Sequence, residues 1–119
     1  MNAFVILMIE AEQPEGLSAR KLVVETAQHN VLTAYNAQDG LGLLKRFPNI
    51  DVVMVHGTLL ADHPHILSDI KAHAPDKPLI LACPFGDMNS PEADFIIDSH
   101  NPQDLLLLLE KDIPGWSNS

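Results

Sequence analysis

Short apolar runs alternate along this chain with longer stretches in which apolar side chains recur at helical spacing. Five runs stand out: Ala3 to Ile9, Val31 to Tyr35, Asp51 to His56, Pro78 to Cys83 and Ala93 to Ile97. Most of each run lacks the polar alternation of a half-buried strand, which predicts strands covered on both faces and therefore a parallel sheet between two layers of helices. The intervening segments predict helices over about 15–28, 38–47, 63–74 and 102–111. Asn101 before Pro102 supplies an N-cap and a first-turn proline, with Asp104 where a helix favours negative charge. Asp62 is the expected cap of the third helix and Pro64 lies in its first turn. Ile66, Leu67, Ile70 and Ala74 then form an apolar stripe that Pro75 closes.

The alternation breaks once. Nine residues, PFGDMNSPE, join Cys83 to Ala93, whereas a crossover with its helix needs at least ~10–12. Pro84, Gly86 and Pro91 leave room for about one helical turn, so the fourth helix is expected to be missing or vestigial.

Length and charge narrow the possibilities. With 119 residues and 46% hydrophobic content the chain supports one core, expected over 1–113, with 114–119 a loosely held tail. A net charge of −9 repels phosphate backbones and anionic lipid, so neither nucleic acid nor a membrane is an expected partner. The single cysteine, Cys83, cannot form an internal disulfide and suits a reducing compartment. No basic segment precedes the first apolar run, and no stretch approaches the ~18 apolar residues of a membrane span. A cytoplasmic protein is the expectation.

The segments ILMIEAEQPEG, AQDGLGLLKRFPNIDVVMVHG, DIKAHAPDKPLILA and ADFIIDSHNPQDLL resemble, in order and spacing, the successive signatures of a two-component response-regulator receiver domain. The resemblance implies a three-layer, flavodoxin-like α/β fold with strand order 2-1-3-4-5 and a site at the carboxyl ends of the strands. It also implies a chemistry: an acidic pair for Mg²⁺, an acceptor aspartate ending the third strand, a hydroxyl ending the fourth and a lysine after the fifth. Laid onto this sequence, the acidic pair becomes Glu10 and Ala11, the acceptor His56, the hydroxyl residue Cys83 and the lysine Asp98. Ser99 stands where proline follows that lysine. An anion in place of the cation repels a phosphoryl group, so phosphorylation by the family route is not expected, nor is any cofactor or bound metal. Glu10, alone or with Glu12, is the one place where a hydrated divalent ion could be held.

His56 then reads as a half-buried cap on a strand end, hydrogen-bonded to Glu10, Asp98 or backbone. Asp62, His63, His65 and His73 read as exposed loop and helix-end groups, because residues at i and i+2 do not share a helix face and nothing completes a zinc set. One feature points to a partner. Leu105, Leu106, Leu107, Leu108 and Leu109 are consecutive on the last helix and wrap its whole circumference, so one sheet cannot bury them all. Either some face a second copy or another protein, or the link and the tail with Trp116 fold over them. The resulting expectation is a stand-alone pseudo-receiver, a phosphorylation-independent interaction module, with a homodimer the simplest assembly. The alternative is a small or metal-dependent enzyme using the strand-end crevice around His56 with Glu10, Glu12 and Asp98.

Overall fold

The computed structural model describes residues 4–10, 19–84 and 90–116. Strands β1 (Val5–Ile9), β2 (Asn30–Ala34), β3 (Val52–His56), β4 (Leu79–Cys83) and β5 (Phe95–Asp98) form one sheet in the order 2-1-3-4-5. Every neighbouring pair is parallel. The predicted runs match these strands to within two residues at each end, because continuous apolar stretches mark strands buried on both faces.

The helices are α1 (Ala19–Thr26), α2 (Ala37–Arg46), α3 (Ile66–His73) and α4 (Pro102–Leu107). Alternate residues of each strand feed two cores. Leu7, Ile9, Val53, Val55, Leu79 and Leu81 pack under α2 and α3. Ile6, Met8, Val52, Met54, Ile80 and Ala82 face the other layer, with Val24 of α1 and Leu105 of α4. β4 is buried along its whole length.

Two aspartates fix the amino-terminal edge of the sheet. Asp51 accepts the Val5 amide through Oδ2 at 2.9 Å, while its own N–H donates to the Val5 carbonyl at 2.7 Å. Asp94 repeats the arrangement at β5: its Oδ2 accepts the Leu79 amide at 2.8 Å and its N–H donates to the Leu79 carbonyl at 2.8 Å. Lys71 of α3 donates to the same Asp94 oxygen and, at 2.9 Å, to the Lys77 carbonyl.

Three helix boundaries depart from the sequence expectation. Asp62 does not cap α3; a 3₁₀ turn over Gly57–Leu60 intervenes, α3 begins at Ile66, and its N-cap is His65, which makes no side-chain cap bond. Pro64 accounts for the delay, since the residue before a proline is pushed out of the helical region. α1 ends at Thr26 because Gln28 takes φ 70°. The Gln28 and His29 amides return to the Glu25 and Val24 carbonyls, closing a Schellman cap. The last helix is α-helical only to Leu107, continuing as a π turn over Leu108–Asp112 and a 3₁₀ turn over Ile113–Gly115. Asn101 caps it as expected, accepting the Gln103 amide at 3.2 Å. Residues 85–89 lie outside the described residues; those described in the β4–β5 link include no α-helix.

Candidate functional site

The parallel register brings four of the six predicted site positions into a row along the carboxyl rim of the sheet. Ile9 pairs with Val55, which sets Glu10 beside His56; His56 pairs with Ala82, and Cys83 pairs with Asp98. Ser99 follows at once, its amide donating to the Cys83 carbonyl at 2.9 Å. Ala11, and Glu12 with it, fall outside the described residues.

His56 and Asp98 each close a local turn. His56 is half-buried and ends β3. Its Nδ1 accepts the Thr58 amide at 3.3 Å and lies 2.8 Å from Thr58 Oγ1, so the ring is the N-cap of the 3₁₀ turn that follows. An Nδ1 that accepts an amide N–H leaves the ring proton on Nε2 in the neutral form. Asp98 accepts the His100 amide through Oδ1 at 2.9 Å, and its own N–H faces Asp104 Oδ2 at 3.4 Å. That carboxylate closes the β5–α4 turn. Cys83 is fully buried, its Sγ 4.0 Å from the Ile97 carbonyl, and so behaves as a small core residue. Glu10 is only 1% exposed, and Ser99 7%.

The partners of His56 and Asp98 were not singled out in the sequence. Thr58 and His100 each lie two residues beyond the acceptor, the spacing of side-chain-closed turns, and that spacing was the available signal.

The histidine cluster does not converge on a metal. His63 Nε2 lies 3.1 Å from Asp69 Oδ2 at the surface. His63 and His65 line a shallow hollow with Asp62, Ser68 and Asp69, while His73 lies at a separate hollow beside Lys45 and Lys77. Among the described residues no group of three His, Cys, Asp or Glu side chains could hold a metal ion, and no helix is long and apolar enough to cross a membrane.

The five leucines divide by helical phase. Leu105 and Leu109, 0% and 1% exposed, belong to the core under α1 and α4 and leave the set of outward candidates. Leu106 and Leu108 are partly buried and Leu107 is 46% exposed. The Trp116 ring sits under the Lys71 ammonium, 5.3 Å from Nζ to the ring centroid.

No family model matches the sequence, and no curated protein is similar to it. Solved structures are. A response regulator receiver domain protein from Clostridium thermocellum is 25% identical, with a TM-score of 0.73 over 93% of this chain and 94% of that one. A structure of the phosphorylated P1 domain of CheA3 in complex with CheY6 from R. sphaeroides is similar at 13% identity and a TM-score of 0.69, over 94% of this chain and 98% of that one. An atypical orphan response regulator, described as having a phosphorylation-independent regulatory mechanism, is 19% identical with a TM-score of 0.69, over 97% of this chain and 99% of that one. Strand order, layer arrangement and these neighbours agree: the chain has the flavodoxin-like fold of response-regulator receiver domains.

Proposed function

We propose that this chain is a pseudo-receiver acting as a phosphorylation-independent protein-interaction module, with no reaction of its own. The observation that carries the reading is the chemistry of the strand-end rim. At the acceptor position His56 is turned onto Thr58, and at the lysine position Asp98 is folded onto the His100 amide. A phosphoryl group there would meet an anion where it needs a cation, and two like charges about 4 Å apart at an effective dielectric of 20 repel by about 4 kcal/mol. The neighbour described as phosphorylation-independent supports the same reading.

The surface we assign to the interaction is the outer side of α4, centred on Leu107 and flanked by Leu106 and Leu108. A second copy is its proposed occupant, since a two-fold axis through one apolar patch closes an assembly with a single self-complementary contact. The buried free thiol of Cys83 suits a reducing, cytoplasmic setting.

Two measurements test the proposal. Incubation with Mg²⁺ and acetyl phosphate is expected to leave the intact mass unchanged; a phosphate-sized gain on His56 would overturn phosphorylation independence. Light scattering is expected to give a dimer mass that returns to monomer in Leu107→Glu, with the far-UV circular dichroism retained. A wild-type protein that stays monomeric at high concentration removes the self-association.

A further inference from the structure

At the end of β3 the chain passes directly from His56 into the 3₁₀ turn Gly57–Leu60, and the first amides of that turn need an acceptor. Serine, threonine, asparagine and aspartate are the residues that usually provide one, and each does so across the ordinary pH range. Here the acceptor is an imidazole nitrogen, His56 Nδ1, holding the Thr58 amide at 3.3 Å. Imidazole accepts at Nδ1 only while that nitrogen is unprotonated, and both ring nitrogens of the imidazolium are donors. The Thr58 hydroxyl, 2.8 Å from the same nitrogen, can reverse its role and accept from the charged ring. The Thr58 amide cannot reverse.

We propose that His56 is a proton-operated cap, its neutral ring holding the β3–α3 turn closed and its protonation releasing that turn. The fold thus sets a one-proton event where a receiver has its phosphoryl event.

The groups that stand around the ring come from three strands and the turn. From β1, the register sets the buried Glu10 beside His56. From β4, the neighbours are Ala82 and the buried thiol of Cys83, and from β5, at the same rim, comes Asp98. The turn itself contributes no charge between Gly57 and Leu60; Asp62 and His63 follow it, and the His63 ring is engaged by Asp69. The register thus sets the carboxylates of Glu10 and Asp98 at this rim, with the titratable ring of His100 two residues beyond Asp98. Free imidazole changes charge between about pH 5 and 8, which sets the range in which the device is to be tested. The device does not depend on whether the chain associates through α4.

The test is a ¹H–¹⁵N titration of the intact protein from pH 8 to 5, following the Thr58 amide together with the His56 ring. The expected result is a step in the Thr58 amide, with smaller steps at Gly57 and Leu59, whose midpoint equals that of the His56 ring. In His56→Asn, which keeps a neutral acceptor at the cap, the step should vanish. In His63→Gln, which removes the imidazole that follows the turn, it should persist. A Thr58 amide that stays still while His56 titrates, a His56 that does not titrate in this range, or a step that disappears only in His63→Gln would each overturn the proposal. Should His56→Asn fail to fold, the match of midpoints in the wild-type protein decides alone.

Discussion

Gly40 marks the closest approach of α2 to the sheet. A Cβ built there would lie 2.4 Å from Ile9 Cδ1 and 2.7 Å from Ile9 Cγ1. Ile9 is fully buried and has nowhere to retreat. Gly40→Ala is therefore expected to destabilise the protein by about 1–3 kcal/mol despite its better helix propensity, as overpacking outweighs it. Chemical denaturation checks this, with Gly42→Ala as the control, since nothing lies within 4 Å of a Cβ at Gly42. His29 gives a second prediction at this scale. Its Nδ1 accepts the Phe4 amide at 3.0 Å and its ring stacks on Phe4. Burial holds its pKa below the ordinary 6.5, partly offset by the charge of Glu110. The folded state thus prefers the neutral ring, and between the lowered value and 6.5 the unfolded chain binds more protons. The stability this contributes is complete above about pH 6.5 and is lost as the pH falls through the folded value. Urea midpoints measured at pH 7.5 and 5.0 should fall further in the wild type than in His29→Gln, which keeps an acceptor and does not titrate.

Among the elements, the last helix shows what a run of identical residues can and cannot say. Five leucines in a row contain no phase of their own, so the sequence could state only that some must face outward. The phase comes from the rest of the helix: Asn101 fixes its start, and Leu105, Leu109 and Ile113, at four-residue spacing, supply the buried stripe. Leu109→Ala is expected to cost about 2–5 kcal/mol and Leu107→Ala no more than about 0.5 kcal/mol. Thermal or urea unfolding separates the two outcomes. The π turn over Leu108–Asp112 left no trace in the sequence, because its leucines, glutamate and lysine are all ordinary helix formers. The third helix failed differently. Asp62 was a plausible cap by type, but Pro64 excluded His63 from helical backbone and moved the start to Ile66.

At the scale of the whole molecule, the fold was legible because it rests on composition along strands: five apolar runs buried on both faces admit little besides a parallel sheet with crossovers. The rim was legible as positions, since strand ends follow from the strands, and Glu10, His56, Cys83 and Asp98 stand in one row. What each side chain does there was not, because the choice of Thr58 by His56 and of the His100 amide by Asp98 is made by loop geometry. A last feature was equally hidden. Lys71 connects α3 to Asp94 at the start of β5 and lies over Trp116 beyond the final helix, so one ammonium gathers three segments distant in sequence. Trp116 is the sole tryptophan of the chain. Its emission is consequently a built-in optical gauge of whether the carboxyl-terminal segment is seated on α3, readable without any label and separable from the state of the opposite rim.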